Sequence, residues 1–384
     1  MRLDNNDLRA FLALLQAGLW GGQRPVQEFK SSRVQDSVDW EKVYQLAQEQ
    51  AVQGLVLQGV EELRAKSLEL RVPQTLLLQW IGEVQMIEQR NRAMNAFIAE
   101  QFERLRKNGI YALLVKGQGV AQCYEKPLWR VSGDVDLLLS DENYQKAKDL
   151  LIPLSEVTES EDVSKKHLAL KINGFDVELH GKMPFGISCR ADDVVDEVLE
   201  ESLLKGGVSK WSVDDTDVFL PNPDNHILIV FTHFLHHFFI EGVGLRQICD
   251  WCRLLYTYRD TLNYGLLESR IRKMGLMSEW KAFGALAVKY LGMNPGYVPF
   301  LGSMFNVQCS MLSKKADRIL ESVLECGNFG HNKDLSYRSK YSGMTYKIVA
   351  AWRRLKDFAS LIPVFPLDAP RFYVTYLMGK VRGV

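Results

Sequence analysis

The sequence predicts an α+β fold in which a mixed-sheet core, residues 109–220, sits between helical regions at 1–108 and 221–384. Three observations predict it. Apolar residues recur three and four apart through DLRAFLALLQAGL, WEKVYQLAQEQAVQGLVLQGVEELRAK and the run from Pro73 to Lys107, the spacing of helices with one buried face. After Asn108-Gly109, a pair that ends helices, the chain turns to short apolar runs of strand character: IYALLV, GDVDLLLS, HLALKI and FDVELH. From Pro221 the helical period returns and continues nearly to the end.

Within the core, IYALLV (110–115) is a strand that ends in the turn Lys116-Gly117-Gln118-Gly119, and GVAQCY follows as one or two helical turns. GDVDLLLS is the second strand. DENYQKAKDLLIPL then reads as a helix with Asp141 near its start. HLALKI and FDVELH flank Asn173-Gly174, which suits a two-residue type I′ turn because both central positions need positive φ. In NPDNHILIVFTHFLHHFFI the helix starts after Pro221, with Asp224 as its expected cap.

At about 100–200 residues per domain the 384 residues make two or three structural units, and 47% hydrophobic residues suffice for a sizeable core. Lys+Arg and Asp+Glu both total 47, so net charge argues neither for nucleic acid nor for an acidic partner. The six cysteines (Cys123, Cys189, Cys249, Cys252, Cys309, Cys326) are scattered, which suits reduced thiols and a cytoplasmic setting. The apolar run FLALLQAGLW is short, broken by Gln16 and close to Asp4 and Asp7, unlike a signal peptide. ILIVFTHFLHHFFI carries three histidines and is too short to span a bilayer.

The chemistry-bearing stretch is LWRVSGDVDLLLS, 128–140. Residues two apart in a strand face the same way, so Asp134 and Asp136 share one face. Their repulsion needs compensation, and a divalent cation is the usual means of holding both ionised. The same alternation puts Asp176, Glu178 and His180 on one face of FDVELH. With that hairpin beside the GDVD strand, a third carboxylate joins the pair.

A glycine-containing turn after a strand, then D-x-D, then a later carboxylate resembles the DNA polymerase β-like nucleotidyltransferase superfamily. The wording LLVKGQGVAQCY, PLWRVSGDVDLLL and VELHGKM, with DWEKVYQLAQEQAVQGL upstream and GVGLRQICDWCRLL downstream, resembles the uncharacterised bacterial nucleotidyltransferases met among polysaccharide-synthesis genes. The resemblance implies that Asp134 and Asp136 bridge two Mg²⁺ or Mn²⁺ ions and that Glu178, with Asp176 as its neighbour on the same face, is the third ligand. It implies an NTP substrate, ATP among them, bound by Lys116, Gly117, Gln118, Arg130 and Arg246. Gln118 stands where that superfamily usually has Gly or Ser. Metals held by carboxylates neutralise a triphosphate and lower the pKa of an acceptor hydroxyl, so that its in-line attack on the α-phosphorus expels pyrophosphate. The sequence does not name the hydroxyl or phosphate acceptor, and a sugar phosphate, a small alcohol, a protein hydroxyl and an RNA end all fit; the alternative is a catalytically silent NTP-binding or scaffolding protein on the same fold.

In the helical half, His226, His233 and His237 are seven and four apart and share a helix face, with His236 beside it. Phe234 stands where a zinc-peptidase HEXXH motif needs glutamate. Histidines bonded within the helical region are favoured over histidines facing the nucleotide. Cys249 and Cys252 form a lone CxxC on a helix-periodic stretch, which suits packing. Arg246 and Asp250, four apart after Gly242 and Gly244, are spaced to pair, although the resemblance draws Arg246 toward the nucleotide. From residue 330 onward ten basic residues face three acidic ones. Trp352, Phe358, Phe372, Tyr373 and Tyr376 lie among them, a pattern of core face and solvated face that also suits an anionic acceptor.

Overall fold

The computed structural model describes residues 5–21, 37–66, 70–186, 188–204, 207–301, 311–332, 340 and 343–382. Helix α1 (Asn6–Leu19) starts at Asn5, whose side chain accepts the N–H of Asp7, and α2 (Trp40–Glu49) at Asp39, which accepts that of Lys42. These caps satisfy donors that an open helix end leaves unpaired. Next come α3 (Gln53–Ala65) and the 34-residue α4 (Gln74–Lys107). Asn108 caps α4 and Gly109 takes the left-handed φ of 66°, as the Asn-Gly pair predicts.

Strand β1 (Ala112–Leu114) leads through α5 (Gln118–Ala121), a single turn, to β2 (Asp134–Leu139). Helix α6 (Asp141–Leu151) begins at Asp141, as expected, and is capped by Ser140. Short β3 (Val157–Thr158) precedes β4 (His167–Ile172) and β5 (Phe175–His180). The connecting Asn173 and Gly174 have φ of 50° and 75°, the pair of positive angles a type I′ turn needs.

The five strands lie in the order β1-β2-β5-β4-β3. Only β2 and β5 run parallel. A parallel pair needs a long crossover, and α6, β3 and β4 supply it. One face of the sheet, with Val135, Leu137, Val177 and Leu179, packs on Met94, Phe97, Ile98 and Phe102 of α4. The other face carries Asp134, Asp136, Glu178 and His180, with Leu138 packed into the helical core.

Residues 181–220, for which the sequence predicts no element, hold α7 (Cys189–Leu204) and the hairpin β6 (Val208–Val213) and β7 (Thr216–Pro221). Its turn residues Asp214 and Asp215 have φ of 44° and 66°. Two aspartates tolerate that conformation but signal it less clearly than Asn-Gly.

The C-terminal half contains α8 (Pro223–Ile240), α9 (Leu245–Tyr258), α10 (Tyr264–Met274), α11 (Met277–Tyr290), α12 (Met311–Cys326), α13 (Gly343–Leu361) and α14 (Asp368–Arg382). Asn222, not Asp224, caps α8, accepting the N–H of Asn225; Asp224 instead accepts the N–H of Asn263. Both helical regions share one apolar core, with Trp80, Trp251 and Trp280 fully buried. Cys249 and Cys252 lie in it at 0% exposure, the packing role their periodicity predicts. Among the described residues Cys123, Cys189, Cys249 and Cys252 are free thiols; Cys309 lies outside them.

Phe358 and Phe372 are buried against Phe239 of α8, whereas Trp352 is exposed, so α13 and α14 have the core face expected. Of the basic residues counted there, Lys333 and Arg338 lie outside the described residues. Among the described residues no helix is long and apolar enough to cross a membrane.

Helices α1 and α3 meet backbone to backbone. A Cβ on Gly59 would stand 1.9 Å from the Leu14 carbonyl oxygen, and one on Gly18 equally close to that of Leu55. Gly59→Ala must therefore push the pair apart and lower the unfolding free energy by about 1–3 kcal/mol, the scale of overpacking. Urea unfolding checks this; an unchanged midpoint would mean that the two helices separate without cost.

Candidate active site

The parallel register pairs Asp136 with Glu178 and Asp134 with Asp176. One carboxylate oxygen each from Asp134, Asp136 and Glu178 lies within 4.8 Å of the others. Asp136 is almost wholly buried, with Lys116 Nζ at 2.7 Å and His180 Nε2 at 2.9 Å from its Oδ1. Glu178 Oε2 has both His167 Nε2 and His180 Nε2 at 3.3 Å. The second oxygen of Asp136, Oδ2, is buried without a hydrogen-bond partner.

These contacts set the charges. Burial alone would push Asp136 and Glu178 up. Lys116 and His180 outweigh it at Asp136, as His167, His180 and Lys116 do at Glu178, and both carboxyls are held below the usual range. Asp134 goes the other way: the charge of Asp136, then burial, raises it despite Lys116. Burial opposes the ammonium of Lys116 and the imidazolium of His180, yet neighbouring carboxylates hold both above their ordinary values. Two cationic side chains thus hold two carboxylates ionised, and the remaining repulsion falls on Asp134.

A glycine turn places the lysine. Gly117 has φ 56° and ψ −121°, a conformation open mainly to glycine, and a Cβ there would meet the Asp134 carbonyl oxygen at 3.2 Å. Upstream, Val115 N–H donates to Asp136 O at 3.2 Å. The Val115 carbonyl accepts from His226 Nε2 at 2.8 Å, which pins α8 to the end of β1.

Across the cleft, Arg130 donates from Nε and Nη2 to the two oxygens of Asp250, at 2.8 and 2.6 Å. Tyr124 Oη donates to the same carboxylate at 2.7 Å. The ion pair of Asp250 is therefore with Arg130, not with Arg246 as the four-residue spacing suggests; a bidentate fork from another segment beats an i to i+4 contact. Arg246 turns toward the cleft and donates from Nη1 to Val131 O at 2.9 Å. Lys116, Gly117, Asp134, Asp136, His233 and Arg246 line the cleft, with Arg130 and Asp250 in its wall.

Gln118 is turned away from it. Its side chain is buried and donates to Asn91 Oδ1 at 2.7 Å, while Asn91 donates to the carbonyls of Leu128 and Arg130. Gln118 thus braces the segment that carries Arg130. Asp176 is largely exposed and pairs with Lys171. The histidines divide: His226 is bonded inside, whereas His233 faces the cleft, 3.3 Å from Lys116 Nζ, and is kept neutral by burial and that ammonium. His237 stands behind it, 3.2 Å from His233 and bonded to Glu241.

His167 is the site residue that sequence reasoning missed. A signal existed: counting outward from the two-residue turn pairs Ile172 with Phe175 and hence His167 with His180.

Compared with known families, residues 36–292 match a model described as an uncharacterised nucleotidyltransferase, about two thirds of the chain. No curated protein and no solved structure matches it.

Asp250→Ala leaves the buried Arg130 guanidinium uncompensated and is expected to cost about 3–5 kcal/mol by urea unfolding; a loss below 1 kcal/mol would mean that water reaches Arg130. A pH effect follows from His226 and His236, whose burial lowers each to about 4 from the ordinary 6.5. Below 6.5 the unfolded chain binds protons that the folded chain does not, so this stability is complete above 6.5 and is lost as pH falls toward 4. Each histidine contributes on the order of 3 kcal/mol across that window. His226→Gln should flatten the decline measured by unfolding at stepped pH, and an unaltered slope would refute its share.

Proposed function

We propose that this chain, which belongs to the uncharacterised nucleotidyltransferase family, moves a nucleoside monophosphate from an NTP to a hydroxyl or phosphate acceptor and releases pyrophosphate. One observation carries the reading: carboxylates from two adjacent strands converge beside a lysine on a glycine turn. The donors fit Mg²⁺ or Mn²⁺, since they are hard oxygens and Asp136 Oδ2 is buried without a partner. When bound, the metal neutralises triphosphate charge and acidifies the acceptor hydroxyl.

In this reading Asp134 and Asp136 hold the metal that arrives with the nucleotide, and Glu178 supports the acceptor side. Lys116 adds a point charge for the phosphates, and the bare backbone at Gly117 lets them approach. Arg246 closes over the nucleotide, and Arg130 shapes the wall through Asp250. The parallel D-x-D and E-x-H strands support a polymerase β-like core at 109–220, with helical units 1–108 and 221–384 bounding the cleft. A cytoplasmic enzyme of polysaccharide synthesis, with a sugar phosphate as acceptor, agrees with this chemistry; a small alcohol, a protein hydroxyl or an RNA end serves it equally.

Melting temperature measured with each NTP and Mg²⁺ or Mn²⁺ tests the reading, because a ligand selective for the native state raises it. Asp136→Asn should abolish the metal-dependent shift. Glu178→Gln should retain much of the shift yet lose turnover by about two or more orders of magnitude, as when activation of a reacting group is lost. Normal turnover in Glu178→Gln beside an inactive Asp176→Asn would move the third ligand by two residues, and normal turnover in both would refute a three-carboxylate site.

A further inference from the structure

The sheet face that carries the carboxylates also presents a second, chemically different donor set. Strands β4 and β5 pair His167 with His180, and Glu178 lies two residues before His180 on the same face. His167 Nε2, Glu178 Oε2 and His180 Nε2 lie within 4.8 Å of one another, with both nitrogen-to-oxygen separations at 3.3 Å. Two ligands of a tetrahedral Zn²⁺ with bonds near 2.0–2.1 Å stand about 3.3 Å apart. The spacing therefore already matches two edges of a coordination shell. The two imidazoles lie side by side, ring centroids 4.9 Å apart and planes at 40°, both turning Nε2 to Glu178.

We propose that His167, Glu178 and His180 form a binding site for a first-row transition cation of the Zn²⁺ class, distinct from the Asp134–Asp136 site and sharing Glu178 with it. Three observations bear on the choice of ion and on rigidity. Imidazole nitrogen selects Zn²⁺ and its neighbours, whereas Mg²⁺ prefers oxygen alone. The ligands stand on paired strands rather than on loops, so their spacing is set by the β ladder. Asp136 Oδ1 lies 2.9 Å from His180 Nε2, so a cation on that nitrogen takes the place of the proton it shares with Asp136. Two histidines and one carboxylate leave a fourth position open on the side where His167 is one third exposed, the pattern of sites that accept a further ligand. The site goes beyond the proposed transfer reaction, because these residues can load an ion in a chain that transfers nothing.

The test uses the full chain, stripped with a chelator, desalted and titrated with Co²⁺ in the presence of excess Mg²⁺. Co²⁺ is a visible-absorbing stand-in for Zn²⁺. The expected result is one Co²⁺ per chain by elemental analysis, with visible d–d bands that Zn²⁺ bleaches. His167→Ala should weaken Co²⁺ binding at least about tenfold, the scale of lost metal-site support. His167→Gln, which keeps a hydrogen-bond donor toward Glu178, should behave alike and guards against a folding defect. Asp134→Asn should keep the bands. No bands in the wild type, bands that persist in both His167 variants, or bands lost in Asp134→Asn would each overturn the site. The NTP-dependent melting shift with Mg²⁺ reads the carboxylate site separately, so failure of one leaves the other standing.

Discussion

The parallel pairing of β2 with β5 brings the Asp136 carboxylate beside that of Glu178, and much of the surrounding structure answers that repulsion. Lys116 and His180 both reach Asp136. Gly117 lets the lysine turn inward, and His226 holds the end of β1 from which the turn leaves. Burial makes the arrangement demanding, because in a low-dielectric setting like charges are expensive and their compensation must be closely placed. A short sheet does not achieve this alone: β1 has three residues and β3 has two.

The helical mass supplies the rigidity. Its N- and C-terminal parts form one core, and both reach the segment between α5 and β2. From α3, Gly54 allows contact so close that a Cβ would stand 2.0 Å from the Trp129 carbonyl oxygen. From α4, Asn91 holds the carbonyls of Leu128 and Arg130. From α9, Asp250 takes the Arg130 guanidinium. Three helices distant in sequence thus fix one loop, and that loop delivers Asp134 to the cleft. Gln118 and Asp250 act by holding backbone and guanidinium in place, a role invisible until the partners are known.

The face opposite the α4 contact is unusual in what it concentrates. Glu178 stands at the meeting of an all-oxygen set from β2 and an imidazole set from β4 and β5. Its position between them follows from β5 being central, with a parallel neighbour on one side and an antiparallel one on the other. His233 closes the cleft from α8 as a neutral group, and His237 lies behind it in contact with Glu241. The cationic, anionic and neutral groups around the cleft therefore come from separate elements, each held by its own packing.

Local pattern by itself determined a good deal of this. Period-two alternation placed Asp134 with Asp136, and Glu178 with His180, on common faces. The Asn173-Gly174 pair specified a hairpin and its register, and Asn108-Gly109 marked the end of α4. These features depend on neighbours within a few residues, which is why they are legible in sequence. Tertiary structure decided the rest: that β5 and not β4 lies beside β2, that Arg130 rather than Arg246 takes Asp250, that Gln118 turns inward, and that His226 is bonded while His233 faces the cleft. Each of these is a choice between partners separated by dozens of residues, and the outcome rests on which contact leaves fewest buried charges and hydrogen-bonding groups unmet. Spacing along the chain carries no information about that competition; only the packed arrangement resolves it.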